Sequence, residues 1–222
     1  MKLSYELNED LLQDLINIRM KLFYPLEGFM TSHDYHSTIE NMCLSNGELW
    51  TIPITLDIDH DTFIKAVDSE IIFFTYKSNE IGYMKIEDSF KVDLNNDVMR
   101  IFNTRDLNHP GVNRELERHE YRLGGKTYIT DPSVYNNALD PEVTKSEFRN
   151  RGWKTVAGFQ TRNPVHKAHE YSQRIALEIC DGLFINPLVG WKKKGDFSEE
   201  AVIRGYQAMI DNYYSDIGIY FD

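Results

Sequence analysis

The spacing of hydrophobic positions changes twice along the chain. From residue 8 to residue 42, apolar side chains recur every three or four positions, which is typical of amphipathic helices. This spacing predicts helices over 11–23, capped at 8–10, and over 32–42, separated by Pro25 and Gly28. From residue 49 to residue 129, short apolar runs bounded by turn residues replace the helical spacing. They predict strands at 49–56, 70–76, 81–86 and 90–92, a loop at 108–112, and two strands meeting at a Gly124-Gly125 turn.

A regular alternation of strand and helix patterns begins at residue 154. Strands are expected at 155–159, 183–188 and 217–221, and helices at 165–180 and 198–213. This βαβαβ order predicts a parallel sheet with right-handed crossovers. A helix ending at Gly152 precedes it, and the polar Asp140-Pro141 step marks the change of pattern. We therefore expect two domains, 1–140 and 141–222.

The most polar segment lies between the first strand and the first helix of this alternating region. Gln160, Thr161, Arg162 and Asn163 follow the strand, and His166 and His169 come three residues apart at the predicted start of the helix. The carboxyl ends of strands that lead into helices are where open α/β sheets bind ligands, especially anions. The guanidinium and the neutral donors suit phosphate or sulfate oxygens. The histidine spacing alone leaves structural roles open.

The net charge and its distribution along the chain indicate which kind of ligand the protein can bind. The formal net charge is −11, and residues 151–222 balance nine basic with nine acidic side chains, so the excess lies in residues 1–150. An acidic surface argues against nucleic acid, whereas the basic side chains near the polar segment, Arg162, Lys167 and the 192–194 lysine run, suit a small polyanion.

The sequence does not support a membrane protein, a disulfide-bonded protein, a metal site or a known nucleotide-binding motif. We expect no membrane association, because apolar stretches stay well below the roughly 20 residues that span a bilayer. The two cysteines fit neither a disulfide framework nor a zinc site, which favours a cytoplasmic protein. The histidine pair has no third ligand at zinc spacing, and residues 57–61 have neither the glycine nor the terminal glutamate of a calcium loop. Phosphate-binding P-loop and dinucleotide fingerprints are also absent.

Residues 160–170, Gln-Thr-Arg-Asn-Pro-Val-His-Lys-Ala-His-Glu, resemble the signature of the ATP sulfurylase (sulfate adenylyltransferase) family. Further strings at 25–30, 49–57, 109–112 and 187–196 are similar to others in that family. The resemblance implies an α/β protein: a PUA-like mixed α/β amino-terminal domain with a β barrel, followed by a Rossmann-like nucleotidylyltransferase domain. It implies a nucleotidyltransferase that converts ATP and sulfate to adenosine 5′-phosphosulfate and pyrophosphate, the first step of sulfate assimilation.

The resemblance also assigns roles to individual residues. Sulfate would be bound by Gln160 and Arg162, and the nucleotide by these two residues together with Thr161 and Asn163. The catalytic set would be Thr161, Arg162, Asn163, His166 and His169. Mg²⁺ would enter with ATP, and no metal bound by the protein itself is expected.

In this family the catalytic domain continues to a Gly-Arg-Asp-His-Ala-Gly string that completes the site, and this sequence does not contain it. We therefore expect a truncated catalytic domain, completed by homo-oligomerisation or by a partner. The alternative is a non-catalytic relative that binds a nucleotide or anion and acts through its partner. A third reading, another nucleotidylyltransferase with paired histidines, is disfavoured by the Gln-Thr-Arg-Asn lead-in.

Overall fold

The computed structural model describes residues 2–135, 140–188, 197–214 and 218–221. They belong to two units, Met1–Pro141 and Glu142–Asp222, which are treated separately below. The first unit contains the elements β1 (Ser4–Glu6), α1 (Glu9–Arg19), β2 (Gly28–Phe29), α2 (Ser32–Asn41), β3 (Leu56–Ile58), α3 (His60–Ala66), β4 (Ile71–Tyr76), β5 (Asn79–Lys85), β6 (Asp88–Lys91), α4 (Leu94–Phe102), α5 (Pro110–Leu116), β7 (Tyr121–Ile129) and a 3₁₀ turn at Pro132–Tyr135.

The sheet of the first unit is organised around β7. Its strand order is β1-β4-β5-β7-β2, and β3 and β6 also pair with β7. Because β3 and β6 pair with the first part of β7 while β2 and β5 pair with its later part, the sheet curls into a half barrel. Its core includes Leu15, Leu56, Ile72, Phe74 and Leu123, all essentially inaccessible to solvent. The expected mixed α/β domain is therefore confirmed, and the sheet expected as a β barrel is a curled half barrel.

The prediction of two strands around Gly124-Gly125 was wrong, because β7 runs through both glycines without turning. A β-carbon on Gly124 would lie 2.4 Å from the Met30 carbonyl oxygen, and one on Gly125 would lie 2.0 Å from the Lys85 carbonyl oxygen. Because neither glycine has a side chain, neighbouring backbones can approach β7 closely. Close backbone approach, and not a turn, is therefore the reason for glycine at these two positions.

Other local predictions in this unit were also corrected. The strand expected at 49–56 is irregular up to residue 55, where Pro53 removes a backbone donor, and β3 begins only at Leu56. The loop expected at 108–112 is instead the start of α5, with His109 as its N-cap and Pro110 in its first turn. Helix α1 begins after the expected cap, Asn8, but ends at Arg19, and Lys21 follows with a φ of 58°.

The second unit contains α6 (Pro141–Asn150), β8 (Val156–Thr161), α7 (Lys167–Ile179), β9 (Gly182–Pro187), α8 (Glu199–Tyr213) and β10 (Ile219–Phe221). Its sheet is parallel in the order β10-β9-β8, so the expected βαβαβ arrangement is confirmed. Residue 217, included in the expected last strand, lies outside the described residues. Side chains of α7 and α8 form a core with Leu183 and Ile185. The Phe148 ring of α6 contacts Phe184, whose side chain points to the opposite face of the sheet.

None of the helices in the described part of the chain is long and apolar enough to cross a membrane.

Candidate anion-binding site

The carboxyl end of β8 brings the predicted loop to the edge of the parallel sheet. Gln160 lies beside Asn186 of β9 in the strand register, and Thr161 lies beside Pro187. The Thr161 carbonyl oxygen accepts a hydrogen bond from the Leu188 amide at 2.8 Å, and its hydroxyl oxygen accepts one from the Asn163 amide at 3.2 Å. The hydroxyl therefore bends the chain away from the strand immediately before helix α7.

The loop places its polar side chains in solvent. Gln160, Arg162 and Asn163 are exposed, and Thr161 is half-buried. Lys167, also exposed, is the first residue of α7. The lysine run at 192–194, which the sequence placed near this loop, lies outside the described residues. An anion can therefore reach the loop without displacing any side chain from the core.

Helix α7 begins two residues later than the sequence predicted. Its first residue is Lys167, and His166 is the N-cap, whose Nδ1 accepts a hydrogen bond from the Ala168 amide at 3.3 Å. The first turn of a helix has backbone N–H groups without helical partners and carries partial positive charge. The 13-residue helix therefore directs this favourable field towards the segment that contains Arg162.

The two predicted histidines are in direct contact, although only one of them lies within the helix. Their rings stack with centroids 3.7 Å apart and an angle of 26° between the planes. His169 also meets the ring of Phe159 edge-on, at 5.5 Å between centroids. Burial lowers the pKa of His169, the neighbouring His166 lowers it further, and a hydrogen bond with the Pro164 carbonyl opposes both effects. His169 therefore favours the neutral state.

Sequence reasoning missed two residues beside this pair. Tyr206 of α8 is fully buried, and its hydroxyl oxygen lies 3.5 Å from Nδ1 of His169. Asn186, half-buried, extends the row of polar side chains that begins with Gln160. Tyr206 is 37 residues from His169 and lies in a helix whose apolar spacing predicts a core position, so the sequence carries no signal for this contact. Asn186 could have been noted as a polar residue inside an apolar strand.

Gly158 has no side chain, so the face of β8 beside Gln160 is open at this position. A β-carbon on Gly158 would have no heavy atom of the described residues within 4 Å, and Gly158 is exposed. Glycine in a strand with no local crowding is consistent with close approach by a ligand or another chain segment.

A larger cavity, of about 640 Å³, lies in the first unit beside Asp14, Asp57 and Arg118. Arg118 is already bound there, with its guanidinium 2.9 Å from Asp57 and 3.2 Å from Glu115. Burial raises the pKa of Asp14 to about 6. Acidic side chains outnumber basic ones in the lining of this cavity, so it is poorly suited to an anion.

No group of three or more His, Cys, Asp or Glu side chains is placed to hold a metal ion within the described ranges. The residues gathered at the loop are a guanidinium, amides, a hydroxyl and imidazoles, which together bind anions by hydrogen bonding and charge. The arrangement is thus suited to holding and polarising phosphoryl or sulfuryl oxygens.

Comparison with known proteins agrees with both halves of this description. Residues 2–132 match the PUA-like domain family and residues 136–220 match the ATP-sulfurylase family. A sulfate adenylyltransferase of Ignicoccus hospitalis is 42% identical over 98% of this chain and 58% of its own length. One of Hyperthermus butylicus is 41% identical over 95% of this chain and 55% of its own length. The chain thus spans a little over half the length of these relatives.

A solved structure with a similar fold is that of a hexameric APS kinase from Thiobacillus denitrificans. It superposes with a TM-score of 0.66, covering 99% of this chain and 41% of that one, at 19% sequence identity. At this level of identity the likeness concerns the fold alone.

Proposed function

We propose that this chain, whose residues 136–220 match the ATP-sulfurylase family, is the part of a sulfate adenylyltransferase that binds both substrate anions. The proposed reaction joins ATP and sulfate to give adenosine 5′-phosphosulfate and pyrophosphate. The observation that carries this proposal is the join between β8 and α7, where Arg162 and a stacked histidine pair flank the start of a 13-residue helix. We also propose that residues 1–140 form the PUA-like domain and 141–222 a portion of the Rossmann-like catalytic domain.

The chemistry is an in-line displacement at the α-phosphorus of ATP. A sulfate oxygen forms a bond to this phosphorus while the bond to the bridging oxygen of the β-phosphate breaks, and pyrophosphate leaves with the electron pair. Because both reactants are anions, the barrier contains their repulsion and the charge that develops on the phosphoryl oxygens. Hydrogen-bond donors held in fixed positions offset this repulsion, and they are therefore the main contribution required of the protein. No covalent enzyme intermediate is needed.

Each loop residue has a distinct part in this scheme. Gln160 and Arg162 bind sulfate, the guanidinium by its planar fork of donors. Thr161 and Asn163, with Gln160 and Arg162, contact the nucleotide phosphates. His166 and His169 stabilise the transition state and the departing pyrophosphate. Mg²⁺ arrives bound to ATP and neutralises part of the phosphate charge, so it requires no dedicated protein ligands.

We propose that the protein acts as a homo-oligomer or with a partner that contributes further site residues. We also propose a cytoplasmic location, where ATP is available and where Cys43 and Cys180, both free, would stay reduced.

The test is pyrophosphate release from ATP, Mg²⁺ and sulfate by the purified chain, together with calorimetric binding of ATP. Arg162→Ala is the informative variant. Arg204→Ala is its matched control, because the Arg204 side chain is 79% exposed on α8 and pairs with Glu200 within its own helix. Sulfate-dependent release that Arg162→Ala abolishes and Arg204→Ala retains supports the proposal.

Two other results would redirect the proposal. ATP binding that depends on Arg162, without pyrophosphate release, would favour the alternative of a binding module that acts through a partner. If neither binding nor release depends on Arg162, the loop is not the substrate site and the proposal is wrong.

A further inference from the structure

The protonation of the histidine pair determines what it can offer to an anion. The ring centroids of His166 and His169 are only 3.7 Å apart, so two imidazolium ions would repel each other strongly. A neutral imidazole has one N–H donor and one acceptor nitrogen, and only the donor can bind a phosphate oxygen. Whether each neutral ring can donate a hydrogen bond to the anion therefore depends on which of its nitrogens carries the proton.

The helix terminus settles this question for His166. Its Nδ1 accepts the hydrogen bond from the Ala168 amide, and a nitrogen that accepts a hydrogen bond cannot carry a proton. The proton of the neutral His166 ring must therefore lie on Nε2. His166 is exposed, so this N–H can donate to a ligand even when the ring is uncharged.

The hydroxyl of Tyr206 faces the corresponding nitrogen of His169. The two atoms are 3.5 Å apart, at the outer limit of a hydrogen bond, and a small ring rotation would shorten this contact. Burial raises the pKa of Tyr206 to about 12, so the hydroxyl keeps its proton at neutral pH and can donate it to Nδ1. His169 also donates a hydrogen bond to the Pro164 carbonyl, which can only accept, so the tautomer is decided by which of its two nitrogens is the donor there.

We propose that Tyr206 is a positioning residue that holds His169 as its Nε2–H tautomer, so that both histidines present an N–H donor to substrate phosphates while neutral. The proposal rests on the proposed function only in taking the bound anion to be a phosphate chain. The tautomer itself is a property of the protein without substrate.

The surroundings of Tyr206 fix the direction of its hydroxyl. Its ring stacks on Phe221, with centroids 6.1 Å apart, and belongs to the core cluster with Leu183, Ile185 and Val202. The fully buried Gln173 hydrogen-bonds the Tyr206 hydroxyl, which partly opposes the rise in its pKa, and accepts a hydrogen bond from the Tyr214 hydroxyl at 3.0 Å. A side chain enclosed in this way has few other rotamers, so its hydroxyl remains directed at His169.

The tautomers can be measured directly by long-range ¹H–¹⁵N correlation spectra of ¹⁵N-histidine protein at pH 8, well above the ordinary imidazole pKa of about 6.5. Signals are assigned with His166→Gln and His169→Gln. We expect the Nε2–H pattern for both rings in the wild-type protein. In Tyr206→Phe, which keeps the buried ring, His169 should shift to a mixture containing the Nδ1–H form while His166 stays unchanged. Tyr213→Phe, on the exposed face of the same helix, should leave both rings as in the wild type.

An Nδ1–H pattern for His169 in the wild-type protein would overturn the proposal, whatever the variant does. So would an Nε2–H pattern that persists in a folded Tyr206→Phe protein. Neither measurement requires catalysis, so a chain that releases no pyrophosphate still gives a decision. If release is observed, Tyr206→Phe should lower kcat several-fold with little change in the KM for ATP, whereas a general packing defect would also lower the melting temperature.

Discussion

Asp57 and Arg118 form an ion pair that is largely withdrawn from solvent in the first unit. The guanidinium lies 2.9 Å from the carboxylate, and the two side chains are 10% and 23% exposed. Arg118 also donates to the Thr55 carbonyl at 2.7 Å, and the Asp57 carboxylate accepts a hydrogen bond from the His119 amide at 3.2 Å. The pair thus ties β3 to the segment that leads into β7, the central strand of the half barrel.

Asp57→Ala should destabilise this unit by about 1–3 kcal/mol, because the desolvated guanidinium loses its nearer carboxylate and keeps Glu115, at 3.2 Å. The matched control is Glu40→Ala, which breaks the exposed pair with Arg100 and should cost about 0–1 kcal/mol. Amide hydrogen exchange in β7 reports the stability of this unit separately. Equal protection of β7 in the two variants would show that the Asp57 pair contributes no more than a surface pair.

The same pair should make the first unit sensitive to acid. Burial acts to raise the pKa of Asp57, but the Arg118 and Arg122 guanidinium groups outweigh it, so the net pKa is lowered. The unfolded chain therefore binds a proton at higher pH than the folded chain does, and stability is lost as pH falls from about 4 through the lowered pKa. Protection of β7 should decline more steeply below pH 4 in the wild type than in Asp57→Asn. Parallel pH profiles would rule out this contribution.

The stacked histidines predict a change in titration. His166→Ala removes both a neighbouring ring and the positive charge that His166 acquires in acid, so the pKa of His169 should rise towards its ordinary value near 6.5. His33→Ala, an exposed change in the first unit, should leave that pKa alone. A histidine NMR titration measures both variants. An unaltered pKa in His166→Ala would mean that the two rings do not influence each other in solution.

The second unit was predicted well because its elements carry clear local signals. Ser198, where the helix was expected to begin, caps α8 by accepting a hydrogen bond from the Ala201 amide, and each strand is a short apolar run. Gly152, with a φ of 71°, stops the preceding helix as expected. Signals of this kind depend on neighbours in the chain, which is why they can be read without the fold.

Errors arose where distant residues decide the local structure. The Gly124-Gly125 pair is a turn signal by its chemistry, yet the approach of Met30 and Lys85 makes it the middle of a strand. At the site, the loop residues could be listed from the sequence, but the contact between Tyr206 and His169 could not, since only the packing of α8 creates it. The start of α7 was misplaced because a histidine side chain, an uncommon cap, serves as its N-cap.

Substitution of Gly124 and Gly158 by alanine distinguishes a glycine needed for folding from one available for function. Gly124→Ala should destabilise the first unit by about 1–3 kcal/mol or more, since the new methyl group would meet the Met30 carbonyl oxygen at 2.4 Å and backbone would have to move. Gly158→Ala meets no heavy atom of the described residues within 4 Å and should leave stability unchanged or raise it by about 0.5–1 kcal/mol.

If the open face of β8 beside Gln160 receives substrate or a further chain segment, Gly158→Ala should nevertheless weaken ATP binding, because the methyl group occupies that space. Thermal unfolding and calorimetry on the same samples distinguish the two effects. A Gly158→Ala protein that binds ATP as the wild type does would show that nothing approaches this face closely. Reduced affinity in a protein of undiminished stability would assign the glycine to the site, because no contact within the described fold requires it.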